Sequence, residues 1–239
     1  RDRGDVTPTI GILKPGSTFA DMIERFGDYD AWFSSELEPA GLRTRVHGPD
    51  GRLPDLAQAD AWIVTGARSS VLDADERVAA LLEWIREAVE REVPLLGVCY
   101  GHQAVAAALG GRVERHAAGW EIGTVEVELT DVGRADPLFE GFPPRFLVQT
   151  THEDEVVVPP PGAVLLARND HSPCQALAVG GSCRTVQFHP EVGRAVAEDF
   201  VARRRHLLDR PVVLDDAPLA SRVLGNFVRH FVGGRDREL

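Results

Sequence analysis

The chain has 239 residues, of which 44 % are hydrophobic and 26 % are charged, as is ordinary for a globular protein. Its formal net charge of −11 argues against a general nucleic-acid or membrane-surface binder, because phosphate contacts need clustered cations. No apolar run reaches the roughly 20 residues that span a bilayer, and the first residues lack the apolar core of a secretory signal. The three cysteines, Cys99, Cys174 and Cys183, have no zinc-like spacing. We therefore expect no metal, no disulfide framework and a cytoplasmic location.

Strand-like apolar runs alternate with helical patterns over the first two-thirds of the chain. Strands are predicted at 7–13, 61–66 and 93–99, and the last is apolar on both faces, as is typical of a central parallel strand. This alternation predicts βαβ units, and therefore an α/β fold with a mainly parallel central sheet flanked by helices.

The clearest helical pattern covers about 75–91. Its apolar residues fall on one stripe, formed by Val78, Leu81, Leu82, Ile85 and Val89. Asp73 and Glu76 have the spacing of a capping box at the start of this helix. The pattern predicts an amphipathic helix that packs on the sheet.

The second half of the chain changes character. Residues 120–129 alternate in the manner of a half-exposed strand, and 145–168 read as strands joined by a proline-rich turn. Residues 182–191 add another strand, and helical patterns follow. This half therefore predicts a smaller antiparallel strand region.

No linker separates the two halves, so we expect a single domain over 1–239 with a C-terminal helical extension from about 195. Apolar positions in this extension predict a helix that docks on the body of the domain or on a second subunit, which leaves an oligomer open. They are Val223, Leu224, Phe227, Val228 and Phe231. The basic run at 203–206 is interpreted as a solvated helix face.

The sequence Gly-Val-Cys-Tyr-Gly at 97–101 has the G-x-nucleophile-x-G spacing of a nucleophile elbow. In an elbow a strand turns sharply into a helix and the nucleophile occupies a strained position. We expect Gly97 and Gly101 to be required by the close approach of strand and helix. The positive end of the helix dipole would favour a Cys99 thiolate. On this motif alone, a buried structural cysteine is an equally good interpretation.

A second motif supplies the base that a thiolate mechanism needs. His189 ends a predicted strand, and Pro190 restricts its backbone to an extended conformation. Glu191 can turn back to accept a hydrogen bond from the imidazole and so fix its tautomer. The two motifs together predict a Cys99–His189–Glu191 triad at the carboxyl ends of parallel strands.

The sequence GVCYGHQ with a downstream FHPE resembles the class I glutamine amidotransferases, in their stand-alone, GMP-synthase-like form. The resemblance extends from the first strand to about residue 195 and implies the flavodoxin-like fold of that family. It implies Cys99 as nucleophile, His189 as base and then acid, and Glu191 as the orienting carboxylate. A glutamine side-chain amide would then be hydrolysed through a γ-glutamyl thioester.

The resemblance also implies an oxyanion hole built from the N–H of Tyr100 and a loop after an earlier strand. That loop contains Gly66, Ala67 and Arg68, where many relatives have Gly-Gly-Pro. Ala67 can still offer its N–H, provided that it does not need a positive φ. Arg68 places a cation near the pocket or is a solvated loop residue.

The resemblance further implies that Gln103, Thr151 and His152 contact the substrate. The acidic residues 153–155 line the same pocket or form an exposed turn. Trp120 is assigned first to packing and second to contact with the substrate.

Three functions stay open at this stage. The first is a glutaminase that delivers ammonia to an acceptor or a separate synthetase subunit, because the sequence contains neither a P-loop nor a G-x-G-x-x-G motif. The second is a γ-glutamyl peptidase, which shares the thioester chemistry but accepts a γ-glutamyl compound. The third is a non-enzymatic binding module on the same fold. No cofactor is expected for any of them.

Overall fold

The computed structural model describes residues 7–48, 52–208 and 211–232. These ranges contain eleven strands and seven α-helices. The strands are β1 (Thr9–Leu13), β2 (Arg43–His47), β3 (Ala61–Val64), β4 (Leu95–Val98), β5 (Arg112–Arg115), β6 (Glu121–Leu129), β7 (Arg145–His152), β8 (Asp154–Val158), β9 (Val164–Arg168), β10 (Ala176–Val179) and β11 (Cys183–Val186). The helices are α1 (Ala20–Phe26), α2 (Tyr29–Leu37), α3 (Glu76–Glu90), α4 (Tyr100–Ala108), α5 (Asp131–Ala135), α6 (Arg194–Arg204) and α7 (Arg222–Phe231).

A nine-stranded sheet in the order β2-β1-β3-β4-β11-β10-β9-β6-β7 forms the centre of the molecule. Its first five strands pair in parallel. The strands predicted at 7–13, 61–66 and 93–99 are confirmed as β1, β3 and β4, and the last two are buried along their whole length. Burial on both faces explains why these runs are continuously apolar rather than alternating.

The four remaining strands of this sheet pair antiparallel. The predicted antiparallel region in the second half is therefore confirmed, and it extends the same sheet. A separate two-stranded sheet pairs β5 with β8. The predicted strand at 182–191 is shorter than expected, because β11 ends at Val186 and leaves His189 in the turn beyond it.

Helix α3 confirms the amphipathic helix predicted at 75–91, but its N-cap differs from the predicted one. Asp75 caps the helix by accepting a 2.8 Å hydrogen bond from the Arg77 N–H. Asp73 instead accepts from the Ser70 N–H, in the turn before the helix. The loop geometry, which spacing alone does not show, decides which of the two carboxylates reaches the free N–H groups.

The C-terminal region contains α6 and α7, joined by a segment of which 205–208 and 211–221 are described, and Val213 and Asp215 of this segment contact β6. The Thr124 N–H donates to the Val213 carbonyl at 2.8 Å. Helix α7 docks on the body of this chain, because Val223, Leu224 and Phe227 are buried in the same core cluster as the sheet. Within the described ranges, no helix has the length and apolarity needed to cross a membrane.

Candidate active site

The carboxyl end of β4 turns sharply into α4 at Cys99. This residue has φ = 53° and ψ = −102°, a strained conformation for a side chain other than glycine. The two neighbouring glycines allow it. A Cβ on Gly97 would lie 2.6 Å from the Gly101 carbonyl oxygen, and one on Gly101 would lie 2.2 Å from the Val64 carbonyl oxygen. The predicted reason for both glycines is thereby confirmed.

His189 and Glu191 form a buried pair beyond the carboxyl end of β11. Nδ1 of His189 lies 2.7 Å from Oε1 of Glu191, and the residues are 1 % and 6 % exposed. The His189 main-chain N–H donates to the Gln149 carbonyl at 2.9 Å, which holds the segment against β7. This pairing orients the imidazole with Nε2 directed away from the carboxylate.

The structure brings Cys99 to the same cavity as His189, and the volume of this cavity is about 110 Å³. Burial opposes the imidazolium form, but the charges of Glu191 and Cys99 outweigh it and raise the pKa of His189 to about 10. Nε2 of His189 is buried and makes no aligned hydrogen bond with a described residue. The Cys99 sulfur therefore lies within electrostatic reach of an imidazole that holds its proton at neutral pH.

The predicted oxyanion residues lie around the same corner. Tyr100 is the first residue of α4, so the helix offers no partner to its N–H. Ala67 lines the cavity, and its φ is not positive, which meets the condition set by the sequence. Gly66 is packed beside the imidazole, since a Cβ at this position would lie 3.0 Å from Cε1 of His189.

The three residues predicted to contact substrate all line the cavity, but they differ in whether their polar side-chain atoms already have protein partners. Gln103 donates from Nε2 to the Asp154 carbonyl at 2.8 Å, and both ring nitrogens of His152 have protein partners. Nε2 of His152 lies 2.8 Å from the Glu121 carboxylate. Neither ring nitrogen of His152 is therefore free for a ligand. The hydroxyl of Thr151 is buried and has no partner among the described residues.

The acidic run at 153–155 is not an exposed turn. Asp154 and Glu155 begin β8 and are 9 % and 6 % exposed. Asp154 accepts a hydrogen bond from the Ser70 hydroxyl, which ties β8 to the loop after β3. This contact encloses one side of the cavity.

One support of the imidazole was not predicted from the sequence. The ring of Tyr29 stacks on His189 with 6.4 Å between centroids and 17° between planes. Tyr29 begins α2, whose N-cap is Asp28, and Asp28 forms a 2.8 Å ion pair with Lys14. Burial raises the pKa of Tyr29 well above its usual range, so its hydroxyl stays neutral. The only sequence signal was the Asp-Tyr pair at the start of a helix.

A second feature, of which the sequence indicated only Arg68, is a wall of aromatic rings and guanidinium groups beside the cavity. The guanidinium of Arg204 lies 4.4 Å from the Trp120 ring centroid, and that of Arg68 lies 3.9 Å from the Phe19 ring centroid. Arg204 belongs to the basic run that was interpreted as a solvated face. That interpretation was wrong for Arg204, because α6 directs it into the cavity.

The remaining histidine and cysteine candidates are structural. Burial lowers the pKa of His102 to about 3, and its Nδ1 lies 2.7 Å from the Thr185 hydroxyl, behind the elbow. Burial raises the pKa of Cys174 to about 11 and that of Cys183 to about 12. These thiols are therefore protonated at neutral pH and poorly suited to nucleophilic attack.

Two larger cavities, of about 440 and 420 Å³, lie elsewhere. Neither is lined by Cys99 or His189, so the candidate site is the smaller cavity. In the part of the chain that the structure describes, no group of His, Cys, Asp and Glu side chains could hold a metal ion.

Comparison with known proteins identifies a family whose members match most of this chain. The model of the family "Glutamine amidotransferase class-I" matches residues 27–205. A glutamine-hydrolysing GMP synthase of Aeropyrum pernix is 34 % identical over 207 residues, which cover 82 % of this chain and 36 % of the relative. The chain thus spans about a third of the length of such relatives. One subunit of the glutamine-hydrolysing GMP synthase of Sulfolobus acidocaldarius is 32 % identical over 70 % of this chain and 85 % of its own length.

Solved structures show the same fold. A glutamine amidotransferase of Methylobacillus flagellatus superposes with a TM-score of 0.76 at 20 % identity, over 98 % of this chain and all of its own. One of Thermotoga maritima superposes with a TM-score of 0.72 at 20 % identity, over 95 % of this chain and 96 % of its own.

Proposed function

From the membership of this chain in the class I glutamine amidotransferase family, we propose that it hydrolyses the side-chain amide of glutamine at Cys99. The observation that carries the proposal is the buried His189–Glu191 pair, which faces the strained Cys99 across one small cavity. A strained nucleophile, a charged imidazole and an orienting carboxylate are the parts that thiolate acyl transfer requires.

The first half-reaction forms the thioester. The Cys99 thiolate attacks the amide carbon, and the N–H groups of Tyr100 and Ala67 stabilise the oxyanion that develops. The imidazolium of His189 then donates its Nε2 proton to the leaving nitrogen, and ammonia departs. The raised pKa of His189 supports this role, because it keeps the acid protonated at neutral pH.

The second half-reaction releases glutamate. The now neutral His189 takes a proton from water, which attacks the γ-glutamyl thioester. Taking this proton restores the imidazolium, and collapse of the tetrahedral intermediate then expels the Cys99 thiolate. Glu191 holds the same Nδ1 through both halves, so a single ring orientation serves as acid and then as base.

We further propose that the ammonia is passed to a separate synthetase subunit. The support is that the chain aligns with most of a relative named as one subunit of a GMP synthase, and with only about a third of the longer GMP synthases.

The test is ammonia release from glutamine by the wild-type chain and by Cys99→Ala, with Cys174→Ala as the matched control. We expect Cys99→Ala to lose at least about 1000-fold in kcat/KM, because the nucleophile acts as a unit with its base. Cys174→Ala should retain the wild-type rate, since Cys174 does not line the cavity. Activity that survives in Cys99→Ala would refute the mechanism. A higher kcat/KM for γ-glutamyl peptides than for glutamine would instead make the chain a γ-glutamyl peptidase.

A further inference from the structure

Arg204 is a cation at the edge of the catalytic cavity, and among the described residues no carboxylate pairs with it. Its Nη1 is buried without a hydrogen-bond partner among the residues that the structure describes. The neighbouring Arg203 is different, because it bonds the carboxylates of both Asp21 and Asp199. Adjacent arginines on α6 thus have opposite environments, and only one of them lines the cavity.

Three aromatic rings hold the Arg204 guanidinium in place. Its carbon Cζ lies 4.4 Å from the ring centroid of Trp120, 5.4 Å from that of Phe200 and 5.6 Å from that of Phe19. Stacking of this kind occupies the faces of the guanidinium and leaves its N–H edge free for a planar acceptor. The residue is therefore positioned by its aromatic neighbours, and no described residue uses its buried Nη1 donor.

The surroundings of Arg204 favour an anionic ligand. Burial lowers the pKa of Arg204, and the neighbouring charge of Arg68 acts in the same direction, whereas Cys99 acts in the opposite direction without outweighing burial. The first two effects are costs of holding an unpaired cation, and a carboxylate between the two guanidinium groups would offset them. The unpartnered hydroxyl of Thr151 lines the same cavity and adds a neutral donor.

We infer that Arg204 binds the α-carboxylate of the glutamyl substrate and that Arg68 assists it from the rim of the cavity. The inference rests on the proposed function. Arg204 is then a specificity residue that selects substrates with a free α-carboxylate, whereas the triad processes the amide at the other end.

The test compares glutamine with 4-aminobutanamide, which lacks only the α-carboxylate, in the wild-type chain and in Arg204→Met. We expect the kcat/KM for glutamine, divided by that for 4-aminobutanamide, to fall about 10- to 100-fold in Arg204→Met. This is the effect of losing a charge-assisted hydrogen bond. Arg204→Lys keeps a charge without the planar fork and should give an intermediate ratio. Arg194→Met removes an exposed arginine of the same helix, paired with Glu198, and should leave the ratio unchanged.

The ratio separates carboxylate binding from the other ways in which Arg204 could act. If Arg204 only stabilised the Cys99 thiolate or the fold, both substrates would lose activity equally, and an unchanged ratio would overturn the inference. Should Arg204→Met fail to fold, Arg204→Lys decides the question by the same ratio.

A second readout does not depend on turnover. Cys99 should be alkylated by iodoacetate faster, relative to neutral iodoacetamide, in the wild-type chain than in Arg204→Met, and an equal preference would contradict the inference. Wild-type protein that shows the iodoacetate preference but releases no ammonia would refute the proposed function while upholding the carboxylate site.

Discussion

The charge on one imidazole depends on a single neighbouring carboxylate. Burial would depress the pKa of His189, and Glu191, with Cys99, raises it to about 10 instead. A raised pKa means that the imidazolium persists through neutral pH and is lost only on the alkaline side. The alkaline limb of the rate profile therefore reports on Glu191.

Glu191→Gln keeps the size of the side chain and removes its charge. The pKa of His189 should fall, so the alkaline limb of the pH profile of kcat/KM should move to lower pH, with a loss of about 10- to 100-fold near pH 8. The profile of ammonia release from pH 5 to 10 measures this shift. Glu198→Gln changes an exposed carboxylate on α6 and should leave the profile in place. An unmoved alkaline limb in Glu191→Gln would show that Glu191 does not act on His189.

The position of the imidazole depends on a glycine that faces it. Gly66→Ala would place its Cβ 3.0 Å from Cε1 of His189 and 3.2 Å from Cε1 of Tyr29, so the stacked rings must shift by a few tenths of an ångström. We expect kcat to fall about 10-fold with little change in Tm, because catalysis depends on alignment more steeply than folding does. Gly193→Ala meets open space and serves as the control. Equal kcat values in the two variants would contradict this placement.

At the scale of the elements, the close packing of α4 on β3 creates the corner that holds Cys99. The contact at Gly101 is made with main-chain atoms of Val64, which cannot rotate away as a side chain can. The same kind of substitution in α7 meets no such contact, because a Cβ on Gly225 has nothing within 4 Å. A glycine-to-alanine substitution should therefore change the free energy of unfolding in opposite directions in the two helices.

We expect Gly101→Ala to lower the free energy of unfolding by about 3 kcal/mol or more, since overpacking against a fixed backbone forces β3 and α4 apart. Gly225→Ala should raise it by about 1 kcal/mol, because alanine loses less backbone entropy in the middle of a helix. Urea unfolding curves of both variants measure the difference. A neutral Gly101→Ala would show that the strand and helix are not in close contact.

At the scale of the whole molecule, we propose that the chain is one domain in which the C-terminal helix and the sheet share a core. Phe227 of α7 is fully buried in the cluster that also contains Ile10 of β1 and Val186 of β11. First and last elements that share a core should unfold together.

Phe227→Ala tests whether α7 and the sheet unfold cooperatively. The substitution should lower the free energy of unfolding by about 3 to 5 kcal/mol while circular dichroism and tryptophan fluorescence still report one coincident transition. Leu207→Ala, at a side chain that is 54 % exposed, should change it by less than about 0.5 kcal/mol. Two separated transitions, with only the first affected by Phe227→Ala, would show that α7 is an independent unit.

The sequence by itself determined the local parts of this protein. The continuous apolar runs predicted β1, β3 and β4, and the glycines around Cys99 predicted the corner between β4 and α4. His189 and Glu191 were identified together because two residues of separation let one side chain reach the other whatever the rest of the chain does. These strands, this corner and this residue pair depend on residues that are close together in sequence, so the sequence alone is enough to predict them.

Only the tertiary structure decided what surrounds that corner. Tyr29 and Arg204 reach the cavity from helices far from Cys99 in sequence, and nothing in their own segments distinguishes them from ordinary packing or surface residues. His152 was predicted to contact the substrate, and its ring nitrogens are engaged by Glu121 and by the main chain of Asp154. Which side chains are buried in the cavity, and which polar atoms find a partner there, depends on contacts between segments that are distant in sequence. The sequence around each residue does not contain that information.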